Sequence, residues 1–411
     1  MSDAGGIELI QQLRRSERRR KARAVALTLP LLLFLLVFFM VPLASLLARA
    51  VENPEVADTL PATGRALSGW DHRSAPPDAA FAAVLQDFSR ISETEQAGVL
   101  ARRLNAEVAG GRSLVMGTYR AMATLGRPDT PAAAHGALVS LDPRWDELGY
   151  WQAIAKNSSR WTPDYLLTAV DLHRTPDGHI ESVPAENAAF RDILLRTFQM
   201  SGMVTVFALL LGYPLAYWLS TLSERRANMM LILVLLPFWT SVLVRIAAWI
   251  VLLQNNGLIN RFLQFIGLTD GPLPLLFNRT GVIIAMVHIL LPFMILPLYS
   301  VMKSVPSNYL RAAISLGSTP LAGFFRVYLP QTYPGVAAGG LLVFITCIGY
   351  YVTPALLGGA GDQMLSYYVA QYTNVEVNWG MACALGGVLL TATLLLYSIY
   401  RKVAKAELSL G

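Results

Sequence analysis

Leu310-Arg311-Ala312-Ala313-Ile314-Ser315-Leu316-Gly317, followed by Val327-Tyr328-Leu329-Pro330, is a polar, patterned segment between two long apolar runs. A bundle of membrane helices needs only a short turn there, so a structured insertion implies a partner that grips it. Ser307 is placed to cap a helix that runs through Leu316, and Gly317 suits the left-handed turn that closes it. Ser318 is placed to cap a second helix with Pro320 in its first turn, and Pro330 to help end it. The expected product is two short helices joined at a glycine elbow, presenting Leu321, Phe324 and Phe325 beside Arg326. Such an amphipathic element fits a hydrophobic groove on a partner; an interfacial helix lying on lipid is the plainer alternative.

The chain around this element reads as a membrane protein. Of its 411 residues, 54% are hydrophobic and 15% charged. Six predominantly apolar runs of ~20 residues recur, the length a helix rising 1.5 Å per residue needs to cross a bilayer. They extend from about Ala24 to Leu47, Phe198 to Leu222, Met229 to Leu253, Val282 to Met302, Val336 to Leu357 and Met381 to Tyr400. Six crossings put both termini on one side. Arg14, Arg15, Arg18, Arg19, Arg20, Lys21 and Arg23 crowd the approach to the first run; Arg225 and Arg226 follow the second, Lys303, Arg311 and Arg326 lie between the fourth and fifth, and Arg401, Lys402 and Lys405 follow the last. The positive-inside rule makes all of these cytoplasmic. The chain then divides into a basic cytoplasmic N-terminus (1–23), a first transmembrane helix (24–50), an extracytoplasmic insert (51–192), a five-helix core (193–402) holding the cytoplasmic loop 303–335, and a cytoplasmic tail (403–411). A cleaved signal peptide also begins with basic residues, but this apolar run is long for one and lacks a small-residue cleavage site. Topology accounts for the basic cluster without nucleic acid.

The insert is too polar for lipid. It holds 19 of the 27 acidic residues against 13 Lys and Arg, so it carries −6 and the remainder +12. Apolar residues recur at helical spacing in Ala80-Phe81-Ala82-Ala83-Val84-Leu85, Val99-Leu100-Ala101 and Met116, Tyr119, Met122, with Trp70, Trp145, Trp151 and Trp161 as further core. A small, mostly helical domain is expected. Its acidity suits a solvated surface better than a dedicated cation site, and His72, His135, His173 and His179 lack metal-ligand spacing. Cys347 and Cys383 fall within spans, as packing residues rather than a disulfide framework.

Nothing in the chain offers chemistry of its own. There is no G-x-x-x-x-G-K-[ST] phosphate loop, no hydrolase elbow and no H-E-x-x-H pattern. Any energy source must be another subunit.

The opening segment resembles the membrane subunits of binding-protein-dependent ABC importers, which carry E-A-A-x-x-x-G-x9-I-x-L-P. The match falls on Ala312, Ala313, Gly317, Leu329 and Pro330; Val327 replaces the isoleucine and Arg311 stands where the family has glutamate. Leu235-Leu236-Pro237-Phe238-Trp239-Thr240-Ser241-Val242-Leu243-Val244-Arg245 with Ala248-Trp249, Asn255-Asn256-Gly257-Leu258-Ile259-Asn260, and Leu290-Leu291-Pro292-Phe293-Met294-Ile295-Leu296-Pro297-Leu298-Tyr299 resemble its spermidine/putrescine-type subfamily. The resemblance covers the first span and the chain from about Arg196 onward, not the insert. It implies an all-α membrane protein of the six-helix importer permease type in a bacterial inner membrane. It also implies ATPase subunits that bind ATP and magnesium, a second permease subunit that is a paralogue, and a periplasmic solute-binding protein. This chain itself would be no enzyme and hold no cofactor. Force would enter through the Tyr309 to Pro330 helices and rock the spans, with Pro214, Pro237, Pro292, Pro297 and Pro354 as places to bend.

Residues along a substrate path follow from the charges and aromatics of the spans. Arg245 lies roughly 24 Å up a helix that starts near Met229, and an intramembrane charge is a functional candidate. It would repel a polyamine unless paired, with Asp362, Glu376 or the second subunit. Trp239, Trp249, Tyr350, Tyr351, Tyr367, Tyr368 and Tyr372 could face a cationic cargo, at ~2 kcal/mol for a desolvated amine, or could form interface belts. Thr240 beside Trp239 joins the path candidates, and His288 is expected as a packed polar residue inside the bundle. An opine or amino-acid-like cargo is the near alternative to a polyamine. An ion-coupled secondary transporter is disfavoured, because the spans hold no acidic relay and show no internal repeat. A membrane-tethered sensor would need only one or two spans.

Overall fold

The computed structural model describes residues 25–123, 130–175, 178–306 and 308–409, with 401–409 by backbone alone. The first apolar run is one helix, α1 (Val25–Arg49). Its turn widens to π geometry over Leu36–Met40, immediately before Val41-Pro42. Proline has no N–H to give and its ring crowds the carbonyl four residues back; a wide turn relieves both problems.

Past Ala50 the chain folds into short helices: α2 (Pro54–Thr59), α3 (Pro61–Ala66), α4 (Asp78–Phe88), α5 (Thr94–Glu107), α6 (Gly111–Ala121), α7 (Pro131–Leu141), α8 (Leu148–Asn157) and α9 (Asp164–Thr168). A small antiparallel hairpin follows, β1 (Leu172–Arg174) on β2 (Ile180–Ser182), with Leu172 opposite Ser182. These helices close around a core of their own. Trp145 and Trp151 are fully buried with ring centroids 5.5 Å apart, and Phe81 lies 4.5 Å from Trp151. Truncating a buried aromatic of this kind costs ~3–5 kcal/mol. Trp161 does not join that core. It is 60% exposed, because the chain there is extended and bridges to Glu52 instead of lying on a helix face. Trp70 packs only at the core's edge.

Three contacts fix this unit to the spans. Asp171 is buried and accepts from the backbone N–H groups of Ala189, Phe190 and Arg191 at 3.1, 3.0 and 2.7 Å, capping the next long helix, α10 (Phe190–Thr221). Its carboxylate also suits the positive end of that helix. Arg103 stacks over Tyr165 at 4.9 Å and donates to Asn53, just beyond α1, at 3.1 Å. Burial pushes the Tyr165 hydroxyl up to about 12. Tyr165 in turn lies flat against Gly380, where any side chain would strike its ring.

The remaining helices are α11 (Glu224–Leu235), α12 (Val242–Leu253), α13 (Leu258–Phe265), α14 (Arg279–Ser304), α15 (Asn308–Ser315), α16 (Pro320–Gln331), α17 (Tyr333–Ile348), α18 (Val352–Leu357), α19 (Leu365–Asn374) and α20 (Trp379–Ser409). At the centre, α10 and α17 pack on α14 through glycines. A Cβ at Gly212 would meet Met294 Cγ at 3.0 Å, one at Gly335 would meet Val301 Cβ at 3.0 Å, and one at Gly339 would meet the Met294 carbonyl at 3.0 Å. Gly335 and Gly339 form a small-xxx-small stripe, which lets membrane helices approach where burial against lipid supplies no driving force. Pro214, Pro292 and Pro297 sit inside uninterrupted helices.

Among the described residues, five helices are long and apolar enough to cross a membrane, with a sixth crossing if the bent pair α16 and α17 is counted as one. Two expected spans are redrawn. The run from Met229 to Leu253 is broken at Leu236–Ser241, where Pro237 starts a short 3-10 turn and Thr240 is extended; the crossing is Val242–Phe265. The run from Val336 to Leu357 ends at Ile348, and α18 is a separate helix beyond Gly349. Cys347 and Cys383 are buried free thiols.

Candidate functional site

α15 and α16 form the expected elbow, with one cap moved. Gly317 has φ +94°, its N–H donates to the Ile314 carbonyl at 3.0 Å, and the Ser318 N–H donates to the Ala313 carbonyl at 3.1 Å. These are the paired bonds of a left-handed helix stop. Because Ser318 belongs to that stop, the second cap is Thr319, whose hydroxyl accepts from the Ala322 N–H at 3.3 Å. Ser307 lies outside the described residues.

The two helices touch at Gly323, where a Cβ would meet Leu310 Cδ1 at 3.0 Å and Ala313 Cβ at 3.7 Å. Ala313 is therefore small because it faces the second helix. Tyr309, Arg311, Ala312, Gly317, Arg326 and Pro330 are exposed. So are large apolar groups: Leu316 is 88%, Leu321 69% and Phe325 55% exposed. Apolar side chains gathered this way mark an interaction surface.

The inner face of α16 is clasped to α10. Phe324 meets Tyr217 edge-on at 5.4 Å and Tyr213 at 6.3 Å, stacks on Tyr328 at 5.6 Å, and Tyr328 meets Tyr217 at 5.3 Å. Sequence reasoning did not single out these tyrosines; the signal was the four-residue spacing of Tyr213 with Tyr217 and of Phe324 with Tyr328. Pro330 does not end the helix. The turn widens to π geometry over Phe324–Tyr328, as it does before Pro42, and the helix continues past Leu329 and Pro330 to Gln331. It ends at Thr332, where the chain bends 61° into α17 and the Tyr213 hydroxyl lies 3.0 Å from the Thr332 hydroxyl. Elbow and bend are thus held to the same helix.

The path candidates separate into groups. Trp249 Nε1 donates to His288 Nδ1 at 3.2 Å. His288 is on an exposed face of α14, not inside the bundle. A cavity of about 560 Å³ opens there, lined by Phe207, Leu211, Trp249, Ile284, His288 and Leu291. Trp239 is 73% exposed beside Thr240 at the helix break, Tyr351 is 43% exposed, and none of the three lines that cavity.

Among the described residues, Arg245 has no carboxylate partner. Its Nε is buried without a hydrogen-bond partner. Asp362 pairs instead with Arg279, Nε to Oδ1 at 3.3 Å, and accepts from the Gly359 N–H at 3.2 Å, while Glu376 accepts from Gln371 at 3.2 Å. The break at Leu236–Ser241 voids a height counted along one straight helix from Met229. Arg279 was not singled out in the sequence, where it lies three residues before the apolar run that begins at Val282.

Residues 187–407 match the model of a family described as binding-protein-dependent transport system inner membrane component, which leaves α1 and nearly all of the insert outside the match. The spermidine/putrescine transport system permease protein PotB of Haemophilus influenzae is 38% identical over 217 residues, 52% of this chain and 76% of that protein. PotB of Escherichia coli is 34% identical over 215 residues, 52% of this chain and 78% of that protein. A solved bacterial alginate ABC transporter, in complex with an alginate pentasaccharide-bound periplasmic protein, aligns at 17% identity over 53% of this chain and 78% of that one, with a TM-score of 0.44. With the family match spanning more than half of its length, this chain belongs to the binding-protein-dependent transport system inner membrane components, multi-pass inner-membrane permease subunits of ABC importers whose ATPase is a separate subunit.

Proposed function

We propose that this chain is one of two paralogous permease subunits of an importer that moves a polyamine of the spermidine/putrescine class from periplasm to cytoplasm. The cargo follows from what the PotB relatives are named for. The elbow carries the reading. Its exposed Leu316, Leu321 and Phe325 would enter a groove on the ATPase, which binds ATP and magnesium, and the tyrosine clasp would pass the movement to α10. Elbow and insert hang on opposite ends of α10, a helix of 32 residues and so ~48 Å long. A cytoplasmic elbow therefore goes with a periplasmic insert and cytoplasmic termini. The solute-binding protein would deliver cargo on the insert's side.

One observation favours a second cargo. Arg245 without a carboxylate suits a solute that carries one, such as an opine or an amino-acid derivative. Proteoliposomes holding the permease pair and ATPase, supplied with the binding protein, decide between them. ATP-dependent uptake of labelled spermidine, undiminished by excess octopine, is expected. Spermidine uptake without ATP would sink the importer reading, and uptake of octopine alone would transfer the cargo to the second class.

A further inference from the structure

Although the insert is acidic, one of its grooves is basic. α5 and α6 lie side by side and enclose about 670 Å³, lined by Arg102 from one helix and by Arg112 and Arg120 from the other, with Asn105, Ser113 and a single acid, Glu95. All three arginines are exposed, and among the described residues none forms an ion pair. Five other cations of the insert are matched: Arg103 with Glu107 at 3.0 Å, Arg144 with Asp142 at 2.6 Å, Lys156 with Glu107 at 3.1 Å, Arg160 with Glu52 at 3.1 Å and Arg174 with Asp164 at 3.2 Å. Arg65 and Arg191 donate to backbone carbonyls instead, and Arg90 stands apart from the groove without an ion pair among the described residues. Carboxylates are in excess in the insert, yet these three guanidinium forks gather in one groove with no ion pair among the described residues. The groove floor is open as well. A Cβ at Gly117 would meet nothing within 4 Å, and one at Gly98 only the far end of Arg102 at 4.0 Å, so another backbone can approach closely.

Arg112 and Arg120 stand about 12 Å apart along their helix, the span of three to four residues of an extended chain or two turns of a helix. Guanidinium groups bind carboxylates through two parallel hydrogen bonds. From these features we propose that the groove between α5 and α6 receives an acidic segment of the importer's solute-binding protein. The proposal rests on the importer reading above. A protein segment is favoured over a single lipid headgroup because Arg112 and Arg120 are spread along the groove, farther apart than the oxygens of one phosphate. Such rim charges act chiefly on the association rate and make it depend on salt.

The test uses the assembled importer in nanodiscs and the purified solute-binding protein of the same transport system, with binding followed by interferometry at low and high salt. Arg102→Gln/Arg112→Gln/Arg120→Gln should weaken low-salt binding by about tenfold or more and flatten its salt dependence, whereas Arg90→Gln, an exposed arginine outside the groove, should leave it within about twofold. Single substitutions and thermal melts of the complex separate lost contact from lost fold. Equal affinity for triple variant and wild type overturns the groove and leaves the importer standing. Absence of binding to the wild-type complex overturns both. If the triple variant instead loses binding only to vesicles containing phosphatidylglycerol, the groove is a lipid site and the proposal fails.

Discussion

Gly317 decides the elbow because its φ of +94° lies where a side chain is strained. A β-branched residue there costs at least ~1–2 kcal/mol and opens the helix stop that sets the angle between α15 and α16. Gly317→Val should therefore lower ATP-driven uptake several-fold at unchanged membrane levels; full uptake would show that the angle is unimportant. Arg311 is exposed and forms no side-chain hydrogen bond or ion pair among the described residues. In the insert, the Arg144 guanidinium donates to Asp142 and holds its carboxyl below the usual carboxylate range. A depressed folded pKa adds stability that is fully present above the unfolded value of ~3.9 and is lost as pH falls through the folded value. Arg144→Ala should thus destabilise the protein at neutral pH and much less at about pH 2, read as melting temperature against wild type. An equal penalty at both would assign the loss to packing, since Arg144 also donates to the Gly110 carbonyl at 3.1 Å.

At the scale of the element, helix–helix distance in the bundle is set by which glycine faces a neighbour. Gly339 and Gly340 are adjacent, yet a Cβ on the first would meet the Met294 sulfur at 2.9 Å and the Met294 carbonyl at 3.0 Å, while a Cβ on the second would have only Thr205 Cγ2 at 3.8 Å. Gly339→Ala should cost ~1–3 kcal/mol by overpacking α17 against α14, seen as a lower melting temperature in detergent, and Gly340→Ala should be neutral. Comparable melting of the two would refute the close approach. Periodicity placed both residues on an apolar helix but could not tell which face met α14. The π turns were hidden for a related reason. Leu36–Met40 and Phe324–Tyr328 each precede an X-Pro pair, and proline in a helix reads as a stop unless packing on both sides keeps the helix going.

At the scale of the whole molecule, the proposed orientation puts the opposite ends of α10 on opposite sides of the membrane. Ser113 lies on the exposed side of the insert and Ser318 at the elbow, while the native Cys347 and Cys383 are buried. In intact spheroplasts an impermeant maleimide should label Ser113→Cys directly and Ser318→Cys only after permeabilisation; the reverse pattern would invert the topology. The insert's separate core, its caps and its anchoring at Asp171, Arg103 and Tyr165 make it a fixed part of the end of the bundle where α10 begins, rather than a tether.

The sequence by itself determined what depends on neighbours along the chain. Apolar runs of crossing length, the polar insert with its helical periodicity, and the elbow's glycine and motif spacing were all legible, because propensity, caps and hydropathy act over a few residues. Tertiary structure alone decided which distant residues meet. It gave Asp362 to Arg279, left Arg245 without an acid among the described residues, turned His288 outward beside Trp249, and bound Phe324 to Tyr213 and Tyr217. Each of those outcomes depends on where a helix breaks and how it is rotated, which contacts between distant residues set, as Tyr213 does at Thr332.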